Sequence, residues 1–220
     1  MESFISMDMI FRWAHMLFGM TWIGFLYYFN FVQTEYFKEA EPAAKADAMV
    51  KLAPRALWWF RWGAMFTFIT GLVLLIGIRH SNGIDSYIVM GSLAGIIMFL
   101  NVWLIIWPRQ QVVLGLKNGD KVVAAAKAGL ASRTNVLLSG PMALGMLGSS
   151  HGTGAANMVI DSANGGSHQF SLGLILVIIS ILAIELNALI GKPGPIASIK
   201  GVVHMAIALS LVFLVFIQYL

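Results

Sequence analysis

"RWAHMLFGMTWIGFLYYF", residues 12–29, decides how the rest of the chain is read. Arg12, charged at every physiological pH, and His15 are its only residues that carry or can take a charge near neutral pH. With its flanks it makes an apolar segment over 9–33, long enough for a bilayer, which takes ~17–25 residues. It runs well past the ~7–15 residue core of a signal peptide and enters Tyr27, Tyr28 and Phe29 without a small-residue cleavage site. The segment therefore reads as a first transmembrane helix. Its arginine and histidine need an explanation, because ionisable groups are costly in hydrocarbon and mark functional sites there.

The composition extends that reading to the whole chain. Its 220 residues are 59% hydrophobic and 11% charged, with a mean hydropathy of +0.81. A soluble domain carries roughly 25% charged residues. Five further apolar segments follow, at 57–78, 87–107, 134–150, 169–190 and 196–219. The expected fold is thus an all-α integral membrane protein, a single domain of six transmembrane helices. The fourth segment holds Pro141 and several small residues, which are accepted where helices pack closely. No region is large enough for a soluble catalytic domain, so any chemistry lies inside the bundle or at its rim.

Cysteine is absent. That excludes disulfides, thiolate metal sites, iron–sulfur ligation and covalent c-type haem. There is no phosphate-cradling glycine loop, nucleophile elbow or zinc motif, and residues 149–154, "SSHGTG", read as a glycine-rich helix ending. No nucleic-acid partner is expected. The net charge of +4 reads as loop charge that sets orientation.

Of the 14 Lys and Arg, 11 fall in the loops after helices one, three and five: Lys38, Lys45, Lys51 and Arg55; Arg109, Lys117, Lys121, Lys127 and Arg133; Lys192 and Lys200. The positive-inside rule then puts both termini outside the cell membrane. Trp58, Trp59, Trp62, Trp103 and Trp107 fall at the inner ends of helices two and three, as an interfacial aromatic belt would. Residues 116–131 read as a short helix lying on the inner surface, suited to anionic lipid headgroups.

Two sets of polar residues lie within the spans. The outer set is Arg12 and His15 on helix one, His151 at the end of helix four and His168 at the start of helix five. His15 is ~10 Å into its span at 1.5 Å per residue, with Gly19 and Trp22 on the same face at i+4 and i+7. Two histidines on different helices, beside glycines and an arginine, suit b-type haem: imidazoles ligate iron axially, glycine makes room for the macrocycle and arginine pairs with a propionate. The cofactor reading therefore names His15, His151, Arg12 and Trp22, with His15 and His151 as iron ligands. The alternative is a histidine that only hydrogen-bonds a neighbouring helix. His80 and His168 read as solvated loop or edge residues.

The inner set is Arg61, Asn101, Asn135, Glu185 and His204, with Asn187 nearby. Glu185 and His204 sit at similar depth on consecutive helices, and are expected to couple as a proton-conducting pair or around a polar ligand. The alternative is a hydrogen-bonded network that fastens the helices together.

Four stretches, taken in order, resemble the membrane domain of the bacterial cytochrome c-coupled urate oxidases, the urate oxidase N-terminal domain family. They are "RWAHMLFGMTWIGFLYYF" (12–29), "LWWFRWGAMFTFITGLVLL" (57–75), "NVWLIIWPRQQVV" (101–113) and "NVLLSGPMALGMLGSSH" (135–151). The resemblance covers roughly the first 150 residues. It implies a redox protein of the bacterial inner membrane that delivers electrons to cytochrome c, with His15 and His151 at positions of family histidines. Members that oxidise urate typically add a C-terminal cytochrome c domain. This sequence has no Cys-x-x-Cys-His, so a separate periplasmic c-type cytochrome is the expected partner.

Three functions follow as expectations. The first is a b-type haem subunit passing electrons to a periplasmic cytochrome or a larger respiratory or oxidase complex. The second is a membrane urate oxidase working with a separate cytochrome c. The third is a non-redox transporter or structural subunit.

Overall fold

The computed structural model describes residues 6–81, 83–151, 158–161, 167–168 and 170–220. Helix α1 (Met7–Tyr27) begins at Ser6, whose hydroxyl accepts the Met9 N–H at 3.2 Å. Such a cap satisfies one of the four N–H groups that a helix start leaves open. The helix then widens into a π-helical turn, Tyr28–Gln33, and continues as α2 (Thr34–Glu39). A short α3 (Pro42–Lys51) leads into the long α4 (Ala53–Ser81). Helix α5 (Ser86–Leu100), capped by the Asp85 carboxylate, passes through a second π-helical turn, Asn101–Ile106, into α6 (Trp107–Val113). Then come α7 (Lys121–His151), α8 (Leu172–Ile190), a 3-10 turn at Gly194–Ala197, and α9 (Ile199–Tyr219).

Four of these stretches are long and apolar enough to cross a membrane: Ala53–Ile78, Ser86–Val113, Leu172–Ile190 and Ile199–Tyr219. Their outward faces carry large aliphatic side chains, among them Leu104, Ile179, Leu186, Ile207 and Leu211. That much exposed hydrocarbon is stable in lipid and not in water, so the bilayer is this protein's environment. Within a bilayer, apolar burial no longer drives helices together; close packing and hydrogen bonds do.

Glycine provides the close packing. On α5 and α7, a Cβ on Gly145 would come 2.6 Å from the Gly91 backbone, and one on Gly148 would strike the Tyr87 ring. On α7 and α9, a Cβ on Gly140 would meet the Ala206 carbonyl at 3.0 Å. Helices α1 and α4 pair antiparallel, with Gly63 against Trp22 and Gly71 against His15. Helix α7 touches α5, α8 and α9 and, at fewer places, α1, so it forms the centre of the bundle. The helix continues through Pro141.

Two features differ from the sequence reading. The segment at 116–131 is not a separate surface helix. Gly115 and Gly119, both at positive φ, turn the chain, and the Asp120 side chain caps α7 by accepting the Val122 and Val123 N–H groups at 2.8 and 3.1 Å. From there α7 runs unbroken as a 31-residue helix, because Ala-rich sequence favours its continuation. The second difference is a small antiparallel sheet of β1 (Ile84–Asp85), β2 (Met158–Asp161) and β3 (Ser167–His168), in the order β1-β2-β3. It joins the α4–α5 and α7–α8 connections, and Ser149 donates to Asp85 beside it at 2.6 Å.

Candidate functional site

His15 is half-buried in the α1–α4 seam. Its Nδ1 lies 2.9 Å from the Thr67 carbonyl oxygen and 3.1 Å from Thr70 Oγ1. The Thr70 hydroxyl hydrogen-bonds back to the Phe66 carbonyl at 2.7 Å. A carbonyl can only accept, so Nδ1 carries the ring proton and Nε2 keeps its lone pair. Nε2 has no hydrogen-bond partner among the described residues. This is the arrangement in which ligating histidines are held, one nitrogen fixed by a carbonyl and the other presented to a metal.

The face shared by His15, Gly19 and Trp22 packs against helix α4. Helix α4 fills it with a ridge of small residues, Gly63, Thr67 and Gly71, one turn apart. A Cβ on Gly71 would lie 2.9 Å from His15 Cε1, one on Gly63 3.1 Å from the Trp22 backbone nitrogen, and one on Gly19 3.9 Å from Thr67 Cγ2. The residues at i, i+4 and i+7 thus lie in a helix–helix seam. Trp22, 2% exposed, is part of the core.

Arg12 is exposed and ion-paired with Asp8, one turn earlier, at 2.6 Å. His151 is exposed at the last residue of α7. Helices α1 and α7 are tied at Tyr27, whose hydroxyl donates to Ser139 at 2.8 Å while Ser139 donates to the Val136 carbonyl. His15 and His151 each stand twelve residues, ~18 Å, from that tie toward the same end of the bundle. They share a height, on helices that are not packed against each other through His15. The side chains of His80 and His168 lie outside the described residues.

The inner set is brought together in part. Asn101, in the second π-helical turn, donates through Nδ2 both to Asn135 Oδ1 and to Glu185 Oε2, each at 2.9 Å. Asn135 donates in turn to the Met98 carbonyl at 2.9 Å. The network links α5, α7 and α8, and both amides are essentially fully buried. Glu185 is not joined to His204. The His204 side chain is exposed, and its Nδ1 donates to the Lys200 carbonyl at 2.6 Å on its own helix. Equal depth placed the two residues on one level, but helix rotation points His204 outward. Asn187 donates to the Lys192 carbonyl at 3.2 Å, closing the turn after α8. Arg61 takes no part in the network. Its guanidinium carbon lies 3.7 Å from the centroid of the Trp107 ring.

Sequence reasoning missed Asn30. It is buried in the first π-helical turn and donates to the Leu26 carbonyl at 2.8 Å and to Ser132 at 2.7 Å, tying α1 to α7. Its sequence signal was a lone amide among aromatic residues. Both π-helical turns hold a buried asparagine, as wide turns at polar sites often do.

Among the described residues, no three His, Asp or Glu side chains gather as a metal-ligand cluster; a bis-histidine haem requires only two axial nitrogens. No family model, curated protein or solved structure matches this chain.

Proposed function

We propose that the protein is a multi-pass subunit of the bacterial inner membrane that holds b-type haem through His15 and passes electrons to a periplasmic c-type cytochrome or a larger respiratory or oxidase complex. The observation that carries this reading is the Nδ1–H bond from His15 to the Thr67 carbonyl, which leaves Nε2 for a metal. The resemblance of residues 12–151 to the urate oxidase membrane domain supports it independently. His15 and His151 would hold the haem iron, and Arg12, exchanging Asp8 for a propionate, would supply the counter-charge. Trp22 has no part in this site, because α4 covers it. The haem would supply one-electron redox chemistry. The protein's own task is to fix the imidazole tautomer and keep its ligating nitrogen out of competing hydrogen bonds.

The same reading takes α1 and α7 as spans beside the four more apolar ones, giving six crossings with both termini outside. Direct urate oxidation has the sequence resemblance alone behind it. A non-redox reading is favoured by the Asn101–Asn135–Glu185 network, whose carboxylate lies in the hydrocarbon-spanning part of α8, where transporters place proton carriers.

Visible spectra of protein purified from membranes of haem-sufficient cells test the redox reading. A Soret band that sharpens on reduction and disappears in His15→Ala is the expected result. Wild-type protein without such a band, or His15→Ala protein with the band unaltered, overturns it.

A further inference from the structure

A cleft opens in the side of the bundle between α1 and α9, with α7 as its floor. Its volume is about 370 Å³. Ligand sites occupy roughly 300–1,000 Å³. Tyr27 and Phe31 line one side, Ser139 and Gly140 the floor, and Ala206 and Ser210 the other side. Ile207 and Leu211, each 57% exposed on the apolar span of α9, form its rim and open it to lipid.

The polar side chains of this apolar cleft are three hydroxyls, and they sit together. Tyr27 donates to Ser139 at 2.8 Å. A Cβ on Gly140, the next residue of α7, would lie 2.7 Å from Ser210 Oγ. All three protons are committed. The Tyr27 proton goes to Ser139, the Ser139 proton to the Val136 carbonyl at 2.7 Å, and the Ser210 proton to the Ala206 carbonyl at 2.7 Å. A hydroxyl that has spent its one proton offers only lone pairs. The side chains of the cleft therefore present acceptors, which an acyl chain cannot use and an O–H can.

Shape narrows the ligand further. The rings of Tyr27 and Phe31 stack with centroids 5.1 Å apart and planes 21° from parallel, and they make a flat wall. Gly140 and Ala206 keep the facing surfaces low. A flat ring fits between them, with its face available for offset stacking. A planar head that carries O–H donors on its edge and an apolar tail meets both conditions.

We propose that this cleft binds the ring of a membrane hydroquinone, a quinol. Its hydroxyls donate to the Tyr27–Ser139 pair and to Ser210, and its isoprenoid tail leaves past Ile207 and Leu211 into the bilayer. The oxidised quinone, whose ring oxygens only accept, is the poorer ligand. The site does not depend on His15 or on haem, so its failure would leave that reading untouched.

The test uses full-length protein in phosphatidylcholine nanodiscs under argon, titrated with decylubiquinol, decylubiquinone or decanol. Native mass spectrometry counts the bound probe, and the thermal unfolding midpoint is followed in parallel. Decylubiquinol should bind and raise the midpoint. Decylubiquinone should bind about tenfold more weakly, roughly the worth of one hydrogen bond, and decanol more weakly still. Ser210→Ala and Tyr27→Phe each remove one acceptor and should weaken quinol binding by about the same factor. If Tyr27→Phe loses the α1–α7 tie and does not fold, Ser210→Ala carries the test. Ile207→Trp, which fills the mouth from the lipid side, should abolish binding, and Ile179→Trp on the lipid face of α8 should leave it unchanged. Equal binding of decylubiquinol and decylubiquinone overturns the assignment, as does decanol binding as well as the quinol. Folded Ser210→Ala and Ile207→Trp proteins with wild-type affinity overturn the site itself.

Discussion

The imidazole of His15 reaches the backbone of α4 at the Thr67 carbonyl, 2.9 Å away, and it does so over Gly71. In a helix that carbonyl is already the acceptor of the residue four places on, which is Gly71 itself. Any side chain there would stand between the ring and the oxygen. One hydrogen bond and one missing Cβ therefore fix the tautomer of a histidine that the sequence places in hydrocarbon.

Gly71→Ala should break this arrangement. Its Cβ would fall 2.9 Å from His15 Cε1, so either the ring rotates off Thr67 or α1 and α4 separate. Overpacking of this kind costs about 1–3 kcal/mol. Thermal unfolding in detergent should show the loss, and His15→Ala in the same background should recover part of it. No change in stability would mean that the seam is looser than the geometry describes.

Removing the hub of the inner network should cost more than neutralising its charge. Asn101→Leu leaves both Asn135 Oδ1 and Glu185 Oε2 without their donor, whereas Glu185→Gln still offers an oxygen to Asn101. Stranding buried acceptors costs about 1–3 kcal/mol. Denaturant unfolding of the two variants gives the ranking, and His204→Gln should match wild type because that ring faces outward.

Asn30 and Ser132 should be coupled across α1 and α7 by their 2.7 Å bond. A double-mutant cycle with Asn30→Leu and Ser132→Ala should return about 0.6 kcal/mol, the average for hydrogen bonds between membrane helices. A coupling of zero would show that the two helices are held by packing alone.

Reporter fusions should place Lys45 and Gly119 on the cytoplasmic side and Leu220 outside, since the basic residues cluster in alternate loops. A cytoplasmic signal from Leu220 would reverse the orientation of His15 in the membrane.

How the helices would run was legible in residues 12–29 and in the apolar segments after them, because length and hydropathy are properties of local sequence. The candidate residues were legible too: an arginine, histidine, glutamate or asparagine amid hydrocarbon is conspicuous in any alphabetical reading. What sequence could not supply was direction around each helix axis. Equal depth suggested Glu185 with His204, but rotation sends His204 into the open and gives Glu185 to Asn101, on a helix 84 residues earlier. Spacing put His15, Gly19 and Trp22 on one face, but only the fold shows that α4 lays Gly63, Thr67 and Gly71 against it. The two π-helical turns were equally hidden, since an extra residue in a turn leaves no mark on composition; it is held by the partners that Asn30 and Asn101 find on α7. Depth is written along the chain. Which side chains meet is set by close packing between helices, and in a bilayer that packing and those few hydrogen bonds are what join them.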